Sequence, residues 1–265
     1  MRKTLLIGYG QFGKILFEKL QKLAEVEIAA HEWREKLAGK DWAIIATPVA
    51  SHVEITRDCL EAGLNVFCEK PLSENPREIE EIFDLAKEKN RKIYIDDVFL
   101  WRQEYGYLSV PRGPLRSISF EMKKYGTFHD SLLSTHVYHD LYMLISLVGF
   151  GETKNLIVTR AKAPLEKGRI DILDFSLAYS NVPIIASYDR TQQEKTKKIA
   201  VNENALWLND LVIIDTKKIP IPAHDALMRM LEAVLNEKVD FSYNNKLALE
   251  ATRLLAQIKE KIAQK

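Results

Sequence analysis

The chain has 265 residues, of which 46% are hydrophobic, and this is enough for one large or two ordinary globular domains with a real core. Its 38 basic and 37 acidic residues leave a formal net charge of +1, which gives no support for nucleic acid or an anionic membrane as the main partner. We therefore expect a small-molecule ligand. Two cysteines without a Cys-x-x-Cys pair, no visible signal peptide and no apolar run of transmembrane length predict a reducing, cytoplasmic setting.

Strand and helix patterns alternate in the first part of the chain. The run MRKTLLI predicts a strand, GYGQFG a glycine turn and KILFEKLQKL a helix. Four further strands are predicted, in VEIAA, WAIIAT, NVFCEK and KIYIDDVFLW. Helices are predicted in HVEITRDCLEAG and NPREIEEIFDLAKEKN. This order predicts an α/β fold with a doubly wound parallel sheet over residues 1–110.

The pattern changes at VPRGP, residues 110–114, where proline and glycine mark a domain boundary. A helix is predicted around residues 131–148, and a series of strand candidates without intervening helices follows it. Such a series is typical of an antiparallel sheet, so we predict that residues 111–265 form an α+β domain with an open, mostly antiparallel sheet. Two amphipathic helices end the chain, and the last one could pack back on the first domain.

Three glycines, Gly8, Gly10 and Gly13, form the pattern GxGxxG between a predicted strand and a predicted helix, which is the context of a dinucleotide-binding turn. The first glycine permits a tight turn, the second lets the backbone approach a pyrophosphate, and the third allows close packing of helix on strand. We predict an NAD or NADP site in a Rossmann domain, with Gln11 and Phe12 in the same turn. A merely structural glycine turn is the alternative.

The acidic residue that binds the adenosine ribose is expected at the end of the second strand. Here VEIAA is followed by His31 and Glu32, and Arg34 lies two residues further along. Glu32 would favour NAD, whereas His31 or Arg34 could meet the 2′-phosphate of NADP; all three could also be solvated loop residues. We expect NAD to be favoured. The connection from this strand to WAIIATP is too short for a full helix.

The stretch AIIATPVASHVEI, followed by CLEAGLNVFCEKPLS, resembles the Gfo/Idh/MocA oxidoreductases, which include glucose-fructose oxidoreductase and inositol dehydrogenase. In family order, the matching pieces are the glycine turn, Thr47-Pro48, His52, Ala62-Gly63 and Glu69-Lys70-Pro71. The resemblance covers the first 110 residues and continues through GPLRSISFE and YHDLYMLISLVG. It implies a Rossmann domain, a substrate-binding domain whose open sheet forms a homodimer or homotetramer, and hydride transfer between NAD(P) and a sugar-like hydroxyl or carbonyl.

The resemblance places the family's catalytic lysine at Lys70 and gives cofactor-side or site-lining roles to Thr47, Pro48, His52 and Glu69. The residue itself agrees with this role, because a lysine at the carboxyl end of an apolar parallel strand lies where open α/β sheets bind ligands. Partial burial beside a positive charge would make such a lysine a usable proton shuttle. A surface lysine paired with Glu69 is the alternative.

The segment YHDLYMLISLVG aligns with a family helix that carries an Asp-x-x-x-His pair, and this places the family histidine at His139 and a frequent aspartate at Asp140. A neutral imidazole can hydrogen-bond the reacting hydroxyl and share its proton with Lys70. Two positions depart from the family. Thr135 stands four residues before His139, where the family has Asp, and Tyr142 stands where a later Asp is frequent.

Thr135 cannot ionise, so the proton relay is either simplified or rebuilt from Asp140, Asp130 or Asp97. Asp96 and Asp97 lie in KIYIDDVFLW, where the family more often has Gly and a polar or aromatic residue. Asp97 could replace the missing carboxylate or select a cationic or polyhydroxylated substrate. Two aspartates in a solvated turn are the alternative.

The segment HDSLLSTHVYHD, residues 129–140, also allows a metal site, because His136, His139 and Asp140 would share one helix face. No HExxH pattern and no obvious fourth ligand are visible in the sequence, so we expect no metal and treat His129 and His136 as bystanders. Two other functions stay open. One is reduction of a non-sugar substrate, as in the biliverdin reductase branch of the family, and the other is NAD(P) sensing or scaffolding without turnover.

Overall fold

The computed structural model describes residues 2–30, 32–110, 113–126, 131–165 and 169–265. The chain divides into two compact units, Met1–Val98 with Leu227–Thr252 and Phe99–Ala226 with Arg253–Lys265. Each unit is built around its own β-sheet. The domain boundary that the sequence predicts, at residues 110 and 111, stays a prediction.

The first unit contains a parallel sheet of five strands in the order β2-β1-β3-β4-β5. The strands are β1 (Arg2–Ile7), β2 (Ala24–Ala29), β3 (Trp42–Ile45), β4 (Asn65–Cys68) and β5 (Ile93–Ile95). Three helices lie between them in the chain: α1 (Gln11–Leu20), α2 (His52–Glu61) and α3 (Pro76–Glu88). The direction of winding reverses between β1 and β3, and in open α/β sheets ligands bind at the carboxyl ends of strands that flank such a reversal. The predicted α/β class is confirmed.

Both faces of this sheet are covered by apolar side chains. On one face, Ile7 and Ile45 belong to a buried cluster that also includes Ile55 of α2. On the other face, the Trp42 ring packs against Phe241, at the start of the last helix, with the ring centroids 6.2 Å apart. Strands that are buried on both faces are apolar along their whole length, which is why WAII and NVFC are recognisable as strands in the sequence.

Local features of the chain explain the short connection between β2 and β3 and the early end of β5. Between β2 and β3 the described residues form only a one-turn 3-10 helix at Arg34–Lys36, in agreement with the prediction that this connection is too short for a full helix. In the segment KIYIDDVFLW the strand β5 ends at Ile95 and is therefore shorter than the predicted strand. The Asp96 side chain accepts a hydrogen bond from the Val98 N–H at 2.7 Å, and this Asx-type turn leads the chain out of the strand.

The second unit contains an eight-stranded sheet in the order β13-β12-β11-β10-β6-β9-β8-β7. Its strands are β6 (Ile118–Lys123), β7 (Thr153–Lys162), β8 (Ile172–Tyr179), β9 (Val182–Asp189), β10 (Thr196–Val201), β11 (Ala205–Leu208), β12 (Leu211–Ile214) and β13 (Lys217–Ile219). All neighbouring strands are antiparallel except β6 and β9, which run parallel. The predicted mostly antiparallel sheet is confirmed.

Among the described residues, two α-helices lie wholly within this unit, α4 (Gln103–Ser109) and α5 (Tyr138–Val148), and a π-helical turn at Leu133–Val137 leads into α5. In this turn the Tyr138 N–H donates to the carbonyl oxygen of Leu133, five residues back instead of four. The helices α6 (Ala226–Leu235) and α7 (Phe241–Ala263) end the chain. Among the residues that the structure describes, no helix has both the length and the hydropathy needed to cross a membrane.

Candidate active site

Two of the three glycines after β1 are required by close packing. Gly8 has a φ of +95°, which L side chains rarely adopt, and a Cβ on it would lie 2.5 Å from the carbonyl oxygen of Ala46. A Cβ on Gly13 would lie 2.2 Å from the carbonyl oxygen of Gly8. Gly8 therefore makes the turn, and Gly13 lets α1 pack directly against it.

The remaining glycine, Gly10, faces open space, because nothing lies within 4 Å of the position that its Cβ would take. Gly10 is the N-cap of α1, whose first turn contains no acidic side chain. The first N–H groups of a helix, among them those of Gln11 and Phe12, have no acceptor inside the helix, and the helix dipole favours an anion beside them. The open space and the helix N-terminus together fit the pyrophosphate of a dinucleotide.

His52 connects the loops that follow β3 and β4. Its imidazole is 1% exposed, with Nδ1 2.8 Å from the carbonyl oxygen of Pro71 and Nε2 2.8 Å from the carbonyl oxygen of Thr47. The Ser51 hydroxyl donates to the Thr47 hydroxyl at 2.9 Å, and Pro48 is the N-cap of the 3-10 turn between them. These contacts hold the backbone in place at the carboxyl ends of two neighbouring strands, where a cofactor is expected.

The residues predicted to distinguish NAD from NADP follow β2. His31 lies outside the described residues, and Glu32 is exposed. Arg34 is held by α2, since its Nη2 lies 2.6 Å from a carboxylate oxygen of Glu54 and 2.8 Å from one of Asp58. The guanidinium group of Arg34 therefore already has two acidic partners.

Lys70 follows β4 and lies close to two buried carboxyl groups, those of Glu69 and Asp96. These two acids come directly after the neighbouring strands β4 and β5, and their carboxyl groups hydrogen-bond each other. Burial, and after it the charge of Asp96, hold the pKa of Glu69 well above its usual range, and burial also raises the pKa of Asp96. The charge of Lys70 lowers both pKa values, so its ammonium group is electrostatically coupled to the pair.

Two carboxyl groups that hydrogen-bond each other must retain one proton between them. Within the pair, the shared hydrogen bond raises the pKa of Glu69 and lowers that of Asp96. The other oxygen, Glu69 Oε1, is buried and has no hydrogen-bond partner among the described groups. The pair therefore places one negative charge, one bound proton and one open acceptor beside Lys70.

Asp97 is 6% exposed, so the alternative of a solvated turn is wrong. Its Oδ1 accepts a hydrogen bond from the Tyr94 hydroxyl at 2.6 Å, and its Oδ2 accepts one from the Asn244 side chain at 3.1 Å. Both oxygens thus have partners inside the first unit. Sequence reasoning singled out Asp97 as the substitute carboxylate, but Asp96 is the aspartate that lies beside Lys70; a substrate role for Asp97 stays a prediction.

His139 is held in the first turn of α5 by two other side chains of the second unit. Its Nδ1 lies 2.8 Å from the Tyr142 hydroxyl, and its ring meets the Phe99 ring edge-on, with the centroids 4.4 Å apart. The Tyr142 hydroxyl also accepts a hydrogen bond from the Phe99 N–H at 3.2 Å. Tyr142, at the position where the family often has Asp, therefore orients the imidazole and determines which of its nitrogens can meet a substrate.

Thr135 has a buried cation as its neighbour. Its hydroxyl donates to the carbonyl oxygen of Ser131 at 2.7 Å and accepts a hydrogen bond from Nη2 of Arg190, whose side chain is 1% exposed. The position where the family has a carboxylate is thus a hydroxyl that faces a guanidinium group. Sequence reasoning missed Arg190, because it lies 55 residues away, just after β9.

Asp140 follows His139 and is 5% exposed. Its Oδ2 accepts a hydrogen bond from the Tyr188 hydroxyl at 3.0 Å, and its Oδ1 lies 3.8 Å from Nζ of Lys197. Burial raises the pKa of Asp140 to about 6, although the charge of Lys197 and the hydrogen bond from Tyr188 both act to lower it. Asp140 is therefore a carboxyl group that titrates near neutral pH beside the predicted catalytic histidine.

A cavity of about 380 Å³ in the second unit is lined by His136, His139 and Asp140, so these three residues do share one side of the helix. The described part of the chain contains no group of three or more His, Cys, Asp or Glu side chains that could hold a metal ion. His129 and Asp130 lie outside the described residues.

The same cavity is lined by four cations that sequence reasoning missed: Arg102, Lys124, Lys195 and Lys197. A signal for Lys197 was present, because side chains alternate along a strand and Lys197 is two residues from the buried Ile199 in β10. No comparable signal existed for Arg102, which lies between a 3-10 helix and α4.

Comparison with known families identifies part of the first unit. Residues 16–96 match the model of the GFO_IDH_MocA family, described as an oxidoreductase family with an NAD-binding Rossmann fold. Among curated proteins, a levoglucosan dehydrogenase of Pseudarthrobacter phenanthrenivorans is 36% identical over 66 residues, which are 24% of this chain and 17% of that enzyme. Four such matches span only 12–30% of the relatives' own lengths.

Solved structures resemble the chain over nearly its whole length. A UDP-N-acetylglucosamine 3-dehydrogenase of Acidithiobacillus ferrooxidans has a TM-score of 0.87 at 15% identity, covering 98% of this chain and 97% of that one. A biliverdin reductase of Synechocystis, solved with biliverdin and NADP+, has a TM-score of 0.75 at 12% identity, covering 98% of both chains. These structures show a common two-part fold. At these identities the structures show the fold alone, and the match to the GFO_IDH_MocA family model is confined to residues 16–96.

Proposed function

We propose that this protein is an NAD(P)-dependent oxidoreductase that transfers a hydride between C4 of the nicotinamide and a hydroxyl or carbonyl carbon of a sugar-like small molecule. The observation that carries the proposal is the position of Lys70. It follows β4, at the same edge of the parallel sheet as the glycine turn after β1, and it is coupled to a buried pair of acids. A proton-handling group at this edge is what the oxidation of an alcohol requires.

In the proposed reaction the cofactor supplies the hydride chemistry and the chain's own residues handle the proton. The α1 N-terminus at Gly10 would hold the pyrophosphate. As the alcohol is oxidised, Lys70 in its unprotonated form would take the hydroxyl proton on Nζ, and the negative charge of the Glu69 and Asp96 pair would stabilise the ammonium group that results. In the opposite direction the ammonium group returns the proton to the developing alkoxide.

His139 is the second proton-handling group in the proposal. Because Tyr142 is hydrogen-bonded to Nδ1, Nε2 would hydrogen-bond the substrate hydroxyl and relay its one proton to Lys70. The buried Asp140 at the next position adds a carboxyl group with a pKa of about 6. The hydroxyl of Thr135 bonds to Arg190 and therefore serves to position the helix rather than to carry charge.

The proposal also favours NAD over NADP. Arg34 has two carboxylate partners on α2, so a 2′-phosphate would have to displace them or share the guanidinium group with them. Glu32 is exposed and can accept hydrogen bonds from ribose hydroxyls, whereas it would repel a phosphate.

Lys70→Ala tests the proposed function. The purified protein is titrated with NADH and with NADPH by fluorescence, and reduction of NAD is then followed with a panel of sugars that includes levoglucosan, myo-inositol and UDP-N-acetylglucosamine. We expect tighter binding of NADH, and a loss of about 10²- to 10⁴-fold in kcat on Lys70→Ala or His139→Ala with little change in NADH affinity. Lys22→Ala, a surface substitution after α1, is the control.

A different result would identify a different function. Tight NADH binding without turnover of any substrate, together with no effect of Lys70→Ala, would contradict the enzyme proposal and favour a cofactor-binding sensor. Tighter binding of NADPH would contradict only the choice of cofactor.

We further propose that the protein forms a homo-oligomer through the open face of the second unit's sheet. Ile157 of β7, Ser176 of β8 and Ile185 of β9 are paired across these strands and therefore lie in one row. The two isoleucines are 56% and 63% exposed. A second copy of the chain, docked on this row, would remove them from water.

A further inference from the structure

Lys197 is fixed in the wall of the cavity that His139 also lines. Its Nζ lies 3.4 Å from the centre of the Phe99 ring and 5.0 Å from the centre of the Trp207 ring, and its side chain is 19% exposed. A cation over aromatic faces is attracted by the negative charge of the ring faces. The ammonium group of Lys197 is therefore held at a defined place in the cavity wall.

Asp140, which lines the same cavity and is 5% exposed, has two carboxylate oxygens with different surroundings. Its Oδ2 accepts a hydrogen bond from the Tyr188 hydroxyl at 3.0 Å, whereas its buried Oδ1 has no hydrogen-bond partner among the described residues. Nζ of Lys197 lies 3.8 Å from Oδ1, which is an ion pair but is too long for a hydrogen bond. A buried carboxylate oxygen without a hydrogen bond is costly, so a donor that enters this gap is stabilising.

A hydroxyl group has the chemistry that the gap between these two atoms requires. Its oxygen can accept a hydrogen bond from Nζ of Lys197 while its proton is donated to Oδ1 of Asp140. Two hydrogen bonds of about 2.8 Å can meet at one oxygen when their outer atoms are 3.8 Å apart. An ether or carbonyl oxygen has no proton to donate, so it would satisfy Lys197 but not Oδ1.

This gap lies beside His139. Asp140 is the next residue of the same helix, and the Phe99 ring that has Lys197 over its face also meets the His139 ring edge-on, with the ring centroids 4.4 Å apart. Both polar groups therefore border one aromatic ring. The cavity has a volume of about 380 Å³, which is in the size range of small-ligand sites, so one sugar-sized molecule can reach both.

We propose that Lys197 and Asp140 form a subsite for a second hydroxyl group of the substrate, next to the hydroxyl or carbonyl that His139 binds. Oδ1 of Asp140 is enclosed, so the hydroxyl enters as the flexible head of Lys197 moves aside. The substrate class is then a sugar or another polyol with hydroxyl groups on neighbouring carbons, rather than an alcohol with a single hydroxyl. This inference rests on the proposed function, because it takes His139 as the partner of the reacting group.

The subsite should be coupled to the ionisation of Asp140, whose pKa is about 6. A hydrogen bond donated to Oδ1 favours the ionised carboxylate, so a polyol should bind more tightly above this pH than below it and should release a proton as it binds near it. Asp140→Asn isolates the contribution of Asp140, because other titratable or charged groups also face the cavity: His136, His139, Arg102, Lys124, Lys195 and Asp210. The Tyr188 hydroxyl, which bonds to Oδ2, stays in place in this variant.

Binding of neutral alcohols to the protein saturated with NADH tests the subsite without requiring turnover. Isothermal titration would compare cyclohexanol, trans-1,2-cyclohexanediol, myo-inositol and D-glucose. We expect at least one of the polyols to bind about tenfold or more tightly than cyclohexanol. Titrations near the pKa of Asp140, in buffers with different heats of ionisation, should show the release of up to about half a proton per bound polyol.

Variants of the two residues locate the hydroxyl. Lys197→Met keeps an apolar stem against the rings and should weaken binding of the preferred polyol by about tenfold, with cyclohexanol unaffected. Lys197→Arg keeps the positive charge and should restore part of the affinity, so a loss through misfolding would be recognised. Asp140→Asn should abolish the release of the proton. Lys198→Met, on the other face of β10, is the matched control and should change nothing.

The outcomes separate this subsite from the proposed function. The subsite is wrong if no polyol binds, if cyclohexanol binds as tightly as the polyols, or if folded Lys197→Met and Asp140→Asn proteins keep the wild-type affinity and proton release. This holds even where a sugar is oxidised and Lys70→Ala stops the reaction. If a polyol binds as expected but is not oxidised, and Lys70→Ala changes nothing, the subsite stands and the oxidoreductase proposal fails.

Discussion

Asp96 and Asp97 are adjacent in the chain, yet their carboxyl groups have entirely different partners. The first bonds to the Glu69 carboxyl group beside Lys70, and the second accepts hydrogen bonds from Tyr94 and Asn244. The contact between Asp96 and Glu69 couples two acids that can share a proton. The hydrogen bond between Asp97 and Asn244 joins the end of β5 to α7. Substitution of the two aspartates should therefore affect different properties of the protein.

Asp96→Asn should lower the pKa of Glu69. The charge of Asp96 and its hydrogen bond are, after burial, the main causes that raise this pKa, and an amide supplies neither a charge nor a carboxylate acceptor. A titration of the Glu69 side-chain carboxyl by ¹³C NMR would measure the change. Asp97→Asn is the matched control and should lower stability by about 1 kcal/mol without moving the Glu69 pKa. An unchanged Glu69 pKa in Asp96→Asn would show that the two acids are not coupled.

Asp140 should make the protein less stable as the pH rises through the range in which it ionises. Its pKa is about 6 in the fold against 3.8 as a free side chain, so its contribution is fully present below 3.8 and is lost as the pH rises through about 6. Asp140→Asn removes this titration. The difference in the free energy of unfolding, variant minus wild type, should therefore rise between about pH 4 and pH 7, by up to about 3 kcal/mol.

Urea unfolding of both proteins at several pH values measures this difference. A difference that stays constant or falls with pH would mean that Asp140 is already ionised at low pH in the fold. Because burial is the main cause of the raised pKa, the same result would also show that water reaches this carboxyl group.

The turn between β1 and α1 contains two glycines that close packing requires and a third, Gly10, that only a ligand would require. Gly13→Ala places a methyl group 2.2 Å from the Gly8 carbonyl oxygen and should cost about 3 kcal/mol or more of stability. In Gly10→Ala the added methyl group meets nothing within 4 Å, so the stability should change by less than about 1 kcal/mol.

Gly10→Ala should nevertheless weaken NADH binding about tenfold or more, because its methyl group would fill the space that the pyrophosphate needs. Melting temperature and NADH titration distinguish the two effects, and a Gly10→Ala protein with wild-type NADH affinity would place the cofactor elsewhere.

Regular elements could be predicted from the sequence, and contacts between distant elements could not. WAII and the VFC part of NVFC are continuous apolar runs, and the alternation in β8 marks a half-buried strand, so single segments carry their own signal. The glycine turn was predicted in the same way, from a local pattern, whereas the role of Lys70 was predicted from the resemblance to a family and stays a prediction. The bond between Thr135 and Arg190 depends on how strands far apart in the chain are paired, and no local pattern contains that information.

The exposed face of the eight-stranded sheet predicts the oligomeric state of the protein in solution, and therefore its molecular mass. If a second copy covers the row that contains Ile157 and Ile185, Ile185→Glu should convert the oligomer to a monomer, because it buries a charge in an apolar contact. Light scattering after size exclusion measures the mass. Ile15→Glu, at an isoleucine of α1 that is 41% exposed, is the control and should leave the mass unchanged. A wild-type protein that is monomeric at high concentration would rule out this interface.

The π-helical turn at Leu133–Val137 changes how this segment should be aligned with relatives. A turn closed over five residues places one more residue between the same two points in space than an α-helical turn does. Thr135 is the fourth residue before His139 in the sequence. In space, however, the position one π-helical turn before His139 falls between Thr135 and Ser134. Alignments in which a relative has a regular α-helix here need a one-residue gap. Deletion of a single residue in this turn would consequently leave a regular α-helical turn, with the side chains before and after it in the same places.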